Sequence, residues 1–379
     1  MKYNFDEIID RRNTNAIKYE RAGDLLPLWV ADMDFMAPRE VTRALMKTVE
    51  HSVFGYTEVF GDGYFDSIKN WFSKKFNYEP KKEWLVKSPT VVFALAMAIR
   101  AFTNEGDSVL IQTPVYHLFK QTIISNKRNL VDSALVYKEG RYTINFEDFE
   151  DKIAKNKVKL FLLCSPHNPV ARVWTKEELD TMGRICAKYN CLIVSDEIHC
   201  DFVYDGHKHH VFSTLHDRAI LLTSPTKTFN LAGLHVSNIF IEDERQRSKF
   251  EEEINKTGYS QLNTMGLVAC QSAYEYGEEW LEELLNYLSG SIGYMKKFIA
   301  ENMPQIKMIE PEGTYLMWLD FKALNLTQQQ LDNKITKEAK LFLGSGTAFG
   351  ESGEGFQRVN IACPRKILEE AMVKISSVV

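Results

Sequence analysis

Ala219-Ile220-Leu221-Leu222-Thr223-Ser224-Pro225-Thr226-Lys227-Thr228-Phe229-Asn230-Leu231-Ala232-Gly233 is an apolar run that stops at a hydroxyl-rich turn holding one lysine. The first five residues read as a buried strand. Most lysines are solvated surface charges and few are buried, so this one gains meaning only from its neighbours. A second apolar run, Cys191-Leu192-Ile193-Val194-Ser195, ends the same way, at Asp196-Glu197-Ile198-His199. Asp196 alone reads as a helix N-cap, a common fate of aspartate after a strand. Together the two strand ends bring an amine and a carboxylate to the place where open α/β sheets hold their ligands.

The same grammar extends outward. Strand-like runs occupy residues 108–113, 158–164, 191–195, 219–223 and 236–241, with helical patterns between them. The clearest helix covers 175–189 and begins Thr175-Lys176-Glu177-Glu178, a capping box. Such alternation predicts a mostly parallel sheet covered by helices on both faces. Residues 263–301 read as one long amphipathic helix, with Asn263, Gly290 and Gly293 as weak punctuation. Beyond it, residues 313–321 and 356–362 read as strands flanked by helices, which predicts a small C-terminal α+β domain.

Composition bounds the possibilities. The 379 residues suit one large and one smaller domain. A net charge of −5, with no basic face, argues against nucleic acid as a partner. The opening Met1-Lys2-Tyr3-Asn4-Phe5 has no apolar leader, and the apolar stretch 91–102 is broken by Arg100 and too short to span a bilayer. Six scattered cysteines with no CxxC pair predict reduced thiols in a cytoplasmic protein. His207, His209 and His210 have no Cys or carboxylate at zinc-ligand spacing, so they are read as a solvated loop and no metal is expected.

Other strand ends carry further chemistry. Ser165-Pro166-His167-Asn168-Pro169 is a stiff loop that fixes Asn168 after a strand, although Asn-Pro is also a plain turn dipeptide. Ser88-Pro89-Thr90-Val91-Val92 opens a helix, where free N–H groups and the positive dipole end suit a phosphate. Ser224 and Thr226 offer hydroxyls to the same group. Tyr116, in Thr113-Pro114-Val115-Tyr116, is placed to stack on a flat heterocycle or to fill the core. Arg358 lies in an apolar strand pattern, and its planar guanidinium suits a carboxylate. An amine to form a Schiff base, a carboxylate to face a pyridinium nitrogen and a phosphate cradle are what pyridoxal phosphate requires.

These residues, in this order, resemble the fold-type-I pyridoxal-phosphate superfamily. Within it the chain resembles the MalY/PatB-type cystathionine β-lyases. The resemblance is carried by Trp29-Val30-Ala31-Asp32-Met33-Asp34-Phe35, Phe54-Gly55-Tyr56, Ser165-Pro166-His167-Asn168-Pro169-Val170, Ser195-Asp196-Glu197-Ile198-His199, the Lys227 segment and Asn360-Ile361-Ala362-Cys363-Pro364-Arg365, which run across nearly the whole chain.

The resemblance implies an α/β fold with a mostly parallel seven-stranded sheet in a large domain at residues 46–280. It implies a small α+β domain at 281–379, joined by the N-terminal segment 1–45. It assigns Lys227 to the cofactor and to proton transfer at Cα, Asp196 to the pyridine nitrogen, Asn168 and His199 to the ring hydroxyl, and Tyr116 to the ring face. Thr90, Val91, Val92, Ser224 and Thr226 fall to the phosphate, and Arg358, Val30 and Ala31 to an amino-acid substrate. Tyr56 reaches the phosphate of a neighbouring subunit, so Tyr56 and Tyr116 join Lys227 as catalytic residues in a homodimer with shared active sites.

The implied reaction is β-cleavage of cystathionine or a related cysteine thioether. An aminotransferase, or a regulatory protein that holds the cofactor without turnover, is the alternative. His235 stands eight residues after Lys227, where aminotransferases of this superfamily often carry arginine, which leans toward the lyase. Thr90, Phe93 and Ala171 depart from the lyase pattern of glycine, proline and glycine, and the two lost glycines imply restricted backbone there.

Overall fold

The structure, a computed structural model, describes residues 2–379. Seven strands form the main sheet: β1 Leu85–Ser88, β2 Ser108–Ile111, β3 Asn129–Asp132, β4 Leu160–Cys164, β5 Leu192–Asp196, β6 Ile220–Thr223 and β7 Ser237–Ile241. Their order is β1-β7-β6-β5-β4-β2-β3, and only β7 runs against its neighbours. The central strands are apolar at nearly every position because helices cover both faces; β4 and β6 are buried from end to end.

Helices α1 Arg39–His51, α2 Gly63–Phe76, α3 Val91–Phe102 and α4 Lys176–Lys188 precede or cross over the sheet, and α5 Glu244–Lys256 packs on α3. The capping box of α4 forms between Thr175 and Glu178 as its sequence dictates. The long helix expected at 263–301 is instead two, α6 Thr264–Tyr276 and α7 Glu278–Asn302. Asn263 caps α6, Gly290 and Gly293 pass unnoticed inside α7, and the break falls at Gly277. A Cβ there would lie 2.4 Å from the Phe229 ring and 2.5 Å from the Ala273 carbonyl oxygen. The paired acids Glu278 and Glu279 then favour a new helix start.

A four-stranded antiparallel sheet follows, from β8 Lys307–Met308, β9 Leu316–Asp320, β10 Gly344–Ser345 and β11 Phe356–Asn360, in the order β8-β9-β11-β10. Helix α8, Arg365–Ser376, packs against α7 beside it. The N-terminal Leu26–Pro27 pairs in parallel with Leu341–Phe342, tying the start of the chain to its last quarter.

Two local expectations are corrected. Thr90 is extended, at φ −150°, so its Cβ strains nothing. Ala171 does take a positive φ, 56°. His209 is no solvated loop residue: it is buried, with Nε2 2.7 Å from Glu197 Oε2.

Candidate active site

A cavity of about 690 Å³ opens at the carboxyl ends of β1, β2, β4, β5 and β6. Val91 and Val92 reach it from the loop after β1, Tyr116 and His117 from β2, Asn168 from β4, Asp196 and His199 from β5, and Thr226 and Lys227 from β6. The second sheet and the N-terminal segment close the other side with Trp29, Val30, Ala31, Phe342, Phe349 and Arg358.

Each side chain is placed by ordinary local chemistry. Thr90 caps α3: its hydroxyl accepts from Phe93 N at 3.0 Å and its carbonyl from Ala94 N at 3.0 Å. The first-turn amides of Val91 and Val92 are left over, at the positive end of the helix. Ser224 caps the short helix Pro225–Thr228, accepting from Thr226 N at 3.1 Å and donating to Val236 O at 2.7 Å. That leaves Ser224 off the cavity wall, whereas Thr226 lines it. Asp196, at the end of β5, is oriented by Ile198 N, which donates to its Oδ1 at 3.1 Å.

Burial dominates the electrostatics. It pushes the Asp196 carboxyl up to about 7, against the pull of the Ile198 N–H and the Lys227 charge. It brings Lys227 down to about 8; Arg358 adds to the fall while Asp32 and Asp196 oppose it. Arg358 falls to about 10 by desolvation, and His199 is held neutral by burial and then by the charges of Lys227 and Arg358. Burial raises the Tyr116 phenol, so its proton stays on.

Arg358 ties the end of β4 to the N-terminal segment. Its Nη1 donates to Asn168 Oδ1 at 2.9 Å, and its Nη2 to Trp29 O at 2.5 Å. Its Nε and the Nδ1 of His199 are buried without a partner. Such orphaned atoms at the wall of a largely apolar cavity call for a ligand. A free helix N-terminus for phosphate, a buried acid for a ring nitrogen and a depressed lysine for an aldehyde therefore fit pyridoxal phosphate.

No local feature of the chain announces how the segment 29–35 is held. Asn360 Nδ2 donates to Val30 O and Asp32 O, both at 2.6 Å, and Asn230 Nδ2 donates to Met33 O and Phe35 O. Arg11 and the buried Lys18 pair with Asp34 at 2.7 and 2.6 Å. This lays Ala31 O against Lys227, whose Nζ donates to it at 2.5 Å. Tyr315 Oη, which nothing in its apolar strand singled out, donates to the same oxygen at 3.1 Å. Tyr56 is not in this cavity; it is fully exposed, as are much of Val53, Phe54 and Phe60.

Known proteins resemble this chain over nearly its whole length. The chain is 38% identical to cystathionine beta-lyase PatB of Bacillus subtilis, covering 99% of both. It superposes on cystalysin from Treponema denticola, which contains a pyridoxal 5′-phosphate cofactor, with TM-score 0.96 and 34% identity over 100% of this chain and 99% of that one. The PLP-bound C-S lyase from Staphylococcus hominis superposes with TM-score 0.94 and 35% identity, covering 99% and 98%. Residues 24–375 match the family described as aminotransferase class I and II, and the chain belongs to that family.

Proposed function

We propose that this chain is a pyridoxal-phosphate-dependent carbon–sulfur β-lyase, cleaving cystathionine or a related cysteine S-conjugate with water to a thiol, pyruvate and ammonia. The supporting observation is the asymmetry of the cavity. Arg358 is its only arginine among the described residues, and it stands against an apolar wall of Trp29, Val30, Phe342, Leu343 and Phe349. One guanidinium serves the α-carboxylate, and the wall suits a thioether better than a second carboxylate. His235 lines the cavity where a transaminase of this superfamily would often place another arginine.

When bound, pyridoxal phosphate supplies an aldehyde that captures amines and a ring that accepts the electron pair left at Cα. Val91 N, Val92 N and the Thr226 hydroxyl would hold its phosphate, with Ser224 shaping the turn. Asp196 would face the ring nitrogen, whose positive charge draws the carboxyl back to its ionised form. Asn168 and His199 would flank the ring hydroxyl, and Tyr116 would cover a face. Arg358 would fix the substrate carboxylate beside the backbone of Val30 and Ala31, aiming the Cα proton at Lys227. Lys227 takes that proton as a neutral amine. Its pKa of about 8 is already low, and a cationic ring beside it lowers it further. The carbonyl of Ala31 gives the freed amine a hydrogen-bond acceptor within reach.

The apolar strip Met46, Val49, Val53, Phe54 and Phe60 is exposed and continuous in sequence with Tyr56. In our reading it docks on a second copy and delivers Tyr56 to the partner's cavity. All six cysteines are unpaired and buried, which suits a reducing cytoplasm. No described helix is long and apolar enough to cross a membrane.

The test is to incubate the holoenzyme with cystathionine, cystine or an alkyl-cysteine and no keto acid. Sustained release of pyruvate and thiol supports the lyase. Arrest after one turnover, with the cofactor left in its amine form, would overturn it in favour of an aminotransferase.

A further inference from the structure

A second cavity, of about 500 Å³, lies at the opposite edge of the same sheet, where β4, β5 and β6 begin. Lys159 precedes β4, Cys191 and Leu192 open β5, and Arg218 and Ala219 lead into β6. The end of α3 and the start of α5 complete it with Phe102, Arg245, Gln246 and Lys249. Its volume is that of a small-molecule site.

Its charge is one-sided. Lys159, Arg218, Arg245 and Lys249 line it, and none of these side chains forms an ion pair or hydrogen bond with another described residue. The acids on its wall are Asp217 and Asp243, and the Asp243 Oδ1 already accepts from Gln246 N at 2.8 Å. The chain as a whole is acidic, with a net charge of −5. Gln246 Oε1 on the wall is buried without a hydrogen-bond partner, and His216 Nε2, also without one, faces the Asp180 carboxylate at 3.7 Å. His216 cannot simply turn inward, because its ring stacks on Phe212 at 5.2 Å and lies where a Cβ on Gly183 would be.

We propose that this cavity binds a small phosphorylated molecule carrying at least two negative charges, of the size of a nucleoside diphosphate. The forks of Arg218 and Arg245 match phosphate oxygens, and Lys159 and Lys249 add point charges. The face formed by Phe102, Phe212 and Ile193 accepts the uncharged part, for which His216 and Gln246 supply polar contacts. The site lies at the far end of the strands that present Asn168, Asp196 and Lys227, and it is independent of the lyase reading.

The experiment is calorimetric titration of the holoenzyme, whose other phosphate position is filled, with ADP, pyrophosphate and uncharged adenosine. ADP and pyrophosphate bind saturably, with dissociation constants below about 1 mM, and adenosine does not. Arg218→Ala with Arg245→Ala weakens both by about tenfold or more, whereas Lys297→Ala with Lys366→Ala, an equal change of net charge on α7 and α8, leaves them unchanged. Should the arginine pair fail to fold, Lys249→Glu, on the exposed start of α5, must produce the loss alone. Absence of saturable heat from both anions, or equal weakening by the two double variants, overturns the proposal.

Discussion

Replacing Arg358 by methionine separates grip on the substrate from grip on the cofactor. The guanidinium already spends one N–H on Asn168 and one on Trp29 O, and its buried Nε has none. The remaining donors are free for a carboxylate. Two charge-assisted hydrogen bonds at about 1.5–2 kcal/mol each give about 3–4 kcal/mol. At about 1.4 kcal/mol per decade, kcat/KM for a cysteine thioether falls by about 10²–10³. The decarboxylated thioether, which has no group for Arg358, loses less than about tenfold in amine capture by the cofactor. The guanidinium carbon lies over the Phe349 ring, 4.6 Å from its centroid, and methionine replaces that contact with an unbranched apolar side chain that fills part of the same space. Pyruvate release measures the first quantity and cofactor absorbance the second. Equal losses for both compounds would mean that Arg358 supports the site only through Asn168 and Trp29, and the carboxylate role would be wrong.

Three other outcomes follow from the geometry. In apoenzyme, Lys227 attacks the cofactor aldehyde only when neutral. Its pKa is lowered from 10.5 to about 8, so the attachment rate climbs about tenfold per pH unit below 8 and levels above it; a rise continuing to pH 10 refutes the depression. Gly277→Ala forces a Cβ into the Phe229 ring and Ala273 O, costing about 1–3 kcal/mol, read as a lower Tm; an unchanged Tm shows that the α6–α7 break has another cause. Ala171→Gly removes the penalty of a left-handed alanine and stabilises by about 0.5–1 kcal/mol in denaturant unfolding, and destabilisation would contradict the strain.

The half of the site that follows strand ends was legible in the sequence. Asp196, Asn168 and Lys227 each follow an apolar run, and a parallel sheet delivers all such positions to one edge, so order along the chain implied proximity in space. The other half was not. Tyr315 sits in an apolar run with nothing to separate it from core tyrosines, and its role depends on where Ala31 O falls, 284 residues away. Ser224 carries a second duty the sequence did not announce: its hydroxyl caps the short helix Pro225–Thr228 and donates to Val236 O. The break at Gly277 escaped for the same kind of reason: the obstacle is Phe229, distant in sequence, and apolar periodicity continues across the glycine.

The strap of residues 29–35 has a consequence for how the protein comes into being. Residues 90–235 supply the free helix N-terminus, the buried acid and the lysine, all available once the main sheet has formed. The wall at Trp29–Ala31 waits for Arg358 and Asn360, which donate to Trp29 O, Val30 O and Asp32 O. On a ribosome, those donors follow Lys227 by more than 130 residues. On the proposed function, a nascent chain would assemble its lysine well before it had the means to hold an amino acid against it.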